Sequence, residues 1–186
     1  MGRAERNLSK SNLFREHLLM IFVTVGMHEQ PFDRLIKYVD NLMLSGGGYC
    51  NKTIMQIGAS FYEPKHCEYK RWYSYEETES LINKADIVIT QGSPGSYMQV
   101  LKNGKVPIVV PRHKEYKEHV NNHQVDFCSW VAKTQKNIIY IDKIDELDYA
   151  IKNYNEIVKT KRKKIVFNND VFCDKFENIL ENLQNE

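Results

Sequence analysis

The chain has 186 residues, 42% of them apolar and 27% charged, a balance that suits one soluble globular domain with a core of its own. Twenty-six Lys and Arg against 24 Asp and Glu leave a net charge of +2, which excludes the broad basic field of a nucleic-acid binder and the acidic excess of a solvating tail. The four cysteines, Cys50, Cys67, Cys128 and Cys173, form no C-x-x-C pair and read as reduced thiols of a cytoplasmic protein, not as a zinc ribbon or a disulfide framework.

Residues 1–19 are polar and mildly basic. They read as a leader, expected to be mobile, before a domain that starts at Met20; an amphipathic membrane-surface helix around Leu13, Phe14, Leu18 and Leu19 is the alternative. The longest apolar stretch, residues 18–27, is interrupted by Thr24 and Gly26. It falls well short of the roughly 18–20 residues that cross a bilayer and carries no small-residue cleavage site.

Residues 20–25 are a buried strand by length and β-branching. Pro31 opens a helix with Phe32, Leu35, Ile36, Val39, Leu42 and Met43 on one face, stopped by the glycines at 46–48. A second strand covers 53–57, and a loop-like stretch over 61–72 holds a third short strand near 67–72. Ser74 and Glu77 form a capping box for a helix to about Lys84. A strand over 86–90 leads to Ser93 as N-cap and Pro94 as first residue of a helix that stops at Gly104. A strand at 106–110, a helix over 117–131, a strand at 138–141 and one helix through Ile144, Leu147, Ile151, Tyr154 and Val158 complete the alternation. Residues 161–186 separate as a basic linker and a final helix through Phe172, Phe176, Ile179, Leu180 and Leu183.

Near-continuous apolar strands alternating with helices predict an α/β fold, a Rossmann-like doubly wound parallel sheet covered on both faces. Ligands of such sheets bind at the carboxyl ends of the strands. Two segments there stand out. At the first, Gly26 permits close backbone approach beside His28 and Glu29. The second, Gln91-Gly92-Ser93-Pro94-Gly95-Ser96, combines glycines, hydroxyls and a helix N-terminus and reads as a phosphate cradle. It has no Lys for a Walker loop and no G-x-G-x-x-G spacing. A third polar segment runs from Arg112 to Gln124, and its His113, His119, Asn122, His123 and Gln124 suit hydrogen bonding to a sugar or nucleotide. His119 and His123, four apart, could form a metal pair, but no third ligand is evident and no metal is expected. Lys159, Lys161, Arg162, Lys163 and Lys164 read either as a solvated loop or as an attraction to anionic lipid.

Three stretches in order resemble a known family: residues 21–36 (IFVTVGMHEQPFDRLI), residues 89–98 (ITQGSPGSYM), and residues 105–112 (KVPIVVPR) with 118–124 (EHVNNHQ). They resemble small bacterial polysaccharide glycosyltransferase subunits of the PssE/EpsF type, the C-terminal donor-binding half of family 28 glycosyltransferases, with the eukaryotic dolichol-linked N-acetylglucosamine transferase similar. The likeness covers about residues 20–160. It implies a single GT-B donor-binding half-domain whose other half is a membrane-anchored partner subunit. The implied substrate is a UDP-sugar and the implied acceptor a lipid-linked saccharide of capsule or exopolysaccharide synthesis, with galactose the expected sugar ahead of N-acetylglucosamine. The implied location is the cytoplasm, with recruitment to the inner face of the membrane through the partner. By the same resemblance, the turn from Gly92 to Ser96, with Ser93 and Gly95, holds the diphosphate, Gln99 lies at the ribose, and His123 and Gln124 reach the donor sugar; Gly26 and Gln91 count with them as substrate-binding residues. The base is His28 or Glu29, or comes from the partner. No cofactor is implied, because the UDP-sugar is a substrate and no Asp-x-Asp motif occurs. Gln91 replaces a common His, Met27 a common Thr, and Gln99 a common acid. These departures leave a non-catalytic activating subunit as the second reading.

Overall fold

A computed structural model describes residues 19–44, 52–161 and 169–184. The leader up to residue 18, the glycines at 46–48, Cys50 and the basic residues 162–164 lie outside the described residues. The first half of the chain forms β1 (Met20–Thr24), α1 (Asp33–Leu44), β2 (Lys52–Gln56), β3 (Glu68–Lys70), α2 (Tyr75–Lys84) and β4 (Ile87–Gln91). The second half forms α3 (Pro94–Lys102), β5 (Ile108–Val110), α4 (His123–Thr134), β6 (Ile139–Tyr140), α5 (Glu146–Lys152), α6 (Tyr154–Lys159) and α7 (Asn169–Gln184).

All the strands are parallel and lie in the order β3-β2-β1-β4-β5-β6. Side chains alternate across the sheet, so each strand feeds two cores. Ile21, Val23, Met55, Ile87, Ile89 and Ile108 pack with Leu35, Ile36 and Val39 of α1 and with Leu147 and Ile151 of α5. On the other face Phe22, Ile54 and Val88 meet Ile82 of α2 and Val100 of α3, while Val109 packs with Tyr97, Cys128 and Val131. Burial on both faces explains why the strands read as unbroken apolar runs. The doubly wound α/β expectation is therefore met. The chain winds outward from β1 to β3, then returns to place β4 on the other side of β1. Connections leave β1 and β4 in opposite directions, which opens a crevice at their carboxyl ends.

The capping box forms as expected: Ser74 Oγ accepts from the Glu77 amide at 3.2 Å, and the Ser74 amide donates to Glu77 Oε2 at 2.9 Å. Three local expectations are corrected. The helix expected over 117–131 begins only at His123. Lys117 takes a left-handed φ of 58°, and the Glu118 amide donates to His113 O at 3.1 Å, so residues 114–122 form turns instead. Glu118 and Asn122 hold these turns through bonds to the His113 and Lys114 amides. The single helix expected over 144–158 is broken at Asn153, whose side chain bonds Tyr149 O at 2.9 Å and competes with the helical ladder. Ser93 occupies the N-cap of α3, but its hydroxyl makes no capping bond. No helix among the described residues is long and apolar enough to cross a membrane.

Candidate functional site

The crevice beside β1 and β4 is a cleft of about 570 Å³. The turn after β1 contributes Gly26, Met27 and His28; the end of β4 and the start of α3 contribute Gln91, Ser93, Gly95, Ser96 and Gln99. The approach to α4 adds His119, His123 and Gln124, and the N-terminal region of α2 adds Tyr75 and Thr78. Four strand–helix junctions thus meet around one space.

Arg112, just beyond β5, holds three of these junctions together. It is completely buried, and its Nε donates to Gln91 Oε1 at 2.8 Å. Nη2 donates to Val25 O at 3.0 Å; Nη1 donates to Gln30 O, Pro31 O and Glu118 O at 2.8, 3.2 and 3.2 Å. The guanidinium also lies 4.7 Å from the centre of the Phe32 ring. Its own amide donates to Gln124 Oε1 at 3.1 Å. Burial pulls the Arg112 pKa down to about 10, partly opposed by Glu118, so the group stays charged at neutral pH. Arg112 thereby fixes Gln91 through its guanidinium and Gln124 through its backbone amide, and contributes positive potential behind the cleft.

Gly26 is required twice. Its φ of +69° suits a residue without Cβ, and a side chain there would collide with the Gln91 amide. Gln56 supports the same turn by donating from Nε2 to Gly26 O at 3.1 Å. Gly92 lies behind the cleft, not in its wall: a Cβ would press on Gln124 Oε1 at 2.9 Å and Cys128 Sγ at 3.0 Å. Gly95 faces open space, with nothing within 4 Å of where a Cβ would lie. Pro94 at the first helical position has no N–H, and the uncapped Ser93 hydroxyl is available to a ligand. Gln99 Nε2 is buried without a partner, a donor suited to a ligand hydroxyl.

Three imidazoles gather at one side. The His28 and His119 rings are 4.8 Å apart between centres, and those of His119 and His123 are 4.5 Å apart. His28 is held below the ordinary imidazole range by burial first and then by Arg112, with Glu29 pulling the other way. His119 is lowered by burial, then by His123, His28 and Arg112. Among the described residues no group of His, Cys, Asp or Glu has an arrangement that could hold a metal ion.

The structure brings Gly26, His28, Gln91, Ser93, Gly95, Ser96, Gln99, His123 and Gln124 to the cleft wall. Glu29 lies outside that wall and is exposed, and Gly92 serves packing. Gln124, expected to reach a sugar, has its oxygen committed to the Arg112 amide. Sequence reasoning missed Arg112 as the hub, Gln56, and the wall contributed by Tyr75 and Thr78. The one available signal was an Arg immediately after the Pro that ends β5, followed by a polar loop.

The glycosyltransferase family 28 C-terminal domain matches residues 20–179. Over 122 residues, 61% of its length, the chain is 34% identical to the human UDP-N-acetylglucosamine transferase subunit ALG13, but it spans only 10% of that protein. Among solved structures, the glycotransferase of kitacinnamycin matches 73% of this chain and 34% of its own with a TM-score of 0.54. Its sequence identity of 19% makes that a likeness of fold.

Proposed function

Because the chain belongs to the glycosyltransferase family 28 C-terminal domains, we propose that its cleft binds a UDP-sugar and that the chain is the donor-binding subunit of a two-component inverting glycosyltransferase. The observation that carries this reading is the cleft itself: a helix N-terminus with two serines and an open glycine faces Gln91 and Gly26, backed by the buried Arg112. Such a wall stabilises the charge that builds on a departing diphosphate, in most acyl- and phosphoryl-type sites the largest catalytic contribution. Gln99 would meet the ribose through its unpaired amide, and His123 the sugar.

In the proposed reaction an acceptor hydroxyl oxygen attacks the anomeric carbon. The bond from that carbon to the β-phosphate oxygen breaks, and its electron pair leaves with UDP. The hydroxyl proton passes to a base. His28 suits this role better than Glu29, because it lines the cleft and its depressed pKa keeps it neutral near pH 7. The charge of the leaving group is met by side chains and dipoles of this chain, without a metal. The acceptor is a lipid-linked saccharide, in capsule or exopolysaccharide synthesis, presented by a membrane-anchored partner that brings this cytoplasmic chain to the membrane. Galactose and N-acetylglucosamine are the two sugars to compare. The exposed stripe of Phe172, Phe176, Ile179, Leu180 and Leu183 on α7 supports a protein partner.

Gly95→Asp tests the cleft. A side chain at 95 meets open space, so the fold persists, while the carboxylate repels phosphate. Calorimetric titration with UDP is expected to show at least a tenfold loss of affinity, about 1.4 kcal/mol. Unchanged binding in a folded variant would reject the site.

A further inference from the structure

We propose that His119 is the proton-accepting member of a three-imidazole cluster that couples binding of the donor's diphosphate to uptake of a proton from solvent. This inference rests on the assignment of the cleft to a UDP-sugar. Its ground is the placement of His28, His119 and His123 in one wall of that cleft, with His119 in ring contact with both neighbours.

His119 stands where positive charge is unwelcome. Arg112 lies behind it, and two further imidazoles flank it. The carboxylate next to it in sequence is already committed: Glu118 accepts from Arg34 Nε and Nη2 at 2.9 Å each and from the His113 amide at 3.0 Å. Glu29 acts on His28 and is exposed. From α2, Glu76 and Glu77 bond Ser74 and Lys70. The α3 side of the cleft offers only Ser93, Ser96 and Gln99, all uncharged. Among the described residues, the histidines that form ion pairs are His66 and His113, not these three. Burial and these neighbours together depress His119.

A diphosphate diester carries two negative charges. Placed in this wall, it supplies the counter-charge that the cluster lacks, and it favours one protonated imidazole. His123 opens α4, at the positive end of that helix. His119 lies before the helix, in turns pinned by Glu118 and Asn122. A proton there adds charge beside His28 and keeps the latter neutral, which preserves it as a base.

The sign follows from linkage. The bound state holds the proton more tightly than the free state, so donor affinity is greatest at acid pH and falls as pH rises through the pKa of the bound form. The experiment titrates the full chain by calorimetry with UDP-galactose and UDP-N-acetylglucosamine at about pH 6.5 and about pH 8, in buffers of low and high ionisation enthalpy. The diphosphate of these sugars does not itself titrate in that range. For at least one of the two sugars, affinity is expected to fall about fivefold across the interval, with buffer-dependent heat showing uptake of up to one proton. His119→Asn is expected to reduce that fall below about twofold, whatever it does to affinity at either single pH. Histidine NMR titration of the unaltered chain provides a second reading: the His119 midpoint moves up when the sugar nucleotide is added. An affinity independent of pH, a slope that persists in His119→Asn, or an unmoved His119 midpoint overturns the inference while leaving the cleft's assignment intact. If neither sugar nucleotide binds at either pH, that assignment fails and the inference falls with it.

Discussion

Replacing Arg112 with methionine removes every hydrogen bond through which its side chain ties the β1, β4 and β5 junctions together. The acceptors released are Gln91 Oε1 and the carbonyl oxygens of Val25, Gln30, Pro31 and Glu118. Each buried acceptor left dry costs about 1–3 kcal/mol, and those nearest the cleft recover water. The relief of burying a cation offsets part of the loss. A net destabilisation of about 3–5 kcal/mol results, in the range for removing one partner from a buried charged network. In a domain of this size that lowers Tm by roughly 10 °C. Arg112→Lys retains the charge but cannot span acceptors in three directions, so it should recover less than half of the loss. Circular dichroism melts of the three proteins, with UDP calorimetry below the variants' Tm, read both consequences. Stability and UDP affinity should fall together, because Gln91 loses the group that orients it. A methionine variant that melts within about 2 °C of the parent and binds UDP normally would refute the hub role of Arg112.

Two further outcomes follow from the same geometry. Gln124→Ala strips the Arg112 amide of its acceptor, so it is expected to cost about 1–2 kcal/mol in urea unfolding and to weaken UDP and UDP-sugar alike; His123→Ala, at an exposed ring, should weaken the UDP-sugar alone, and a reversed pattern in calorimetry would exchange the two roles. Asp40 is fully buried; burial pushes its carboxyl up, but bonds from the Lys65 amide, the Tyr62 hydroxyl and the His66 amide and ring outweigh this and hold it below the usual carboxylate range. Its stabilisation is present above the unfolded-state pKa and is lost as pH falls through the folded one, so Asp40→Asn should cost about 2 kcal/mol from pH 7 down to about 5, with the gap narrowing below about pH 4. A gap that stays unchanged down to about pH 3 in urea unfolding would refute this account.

The strands were legible in the sequence because burial on both faces leaves apolar runs such as Ile-Phe-Val and Ile-Val-Ile with no polar alternation to confuse them. The Ser74–Glu77 box was legible because capping is a local bond between residues three apart. The turns at Gly26 and Gly92–Ser96 could be placed at one edge of the sheet because a parallel sheet puts every strand–helix turn there. Local patterning could not reveal that residues 114–122 are turns, since Glu118, which closes them on the His113 amide, is itself fixed by Arg34 of α1, 84 residues away in the chain. Nor could it give Arg112 its role, because all of its side-chain acceptors except Glu118 O belong to other segments, and a lone Arg after a strand has no periodicity to betray it. The meeting of His28 with His119 depends on β4 lying beside β1 and β5 beside β4, a strand order fixed by which hydrophobic faces pack together. Sequence determined the elements through short-range sterics and hydrogen bonding; the tertiary fold alone decided which turns share a cleft, because that choice is made by contacts between residues far apart in the chain.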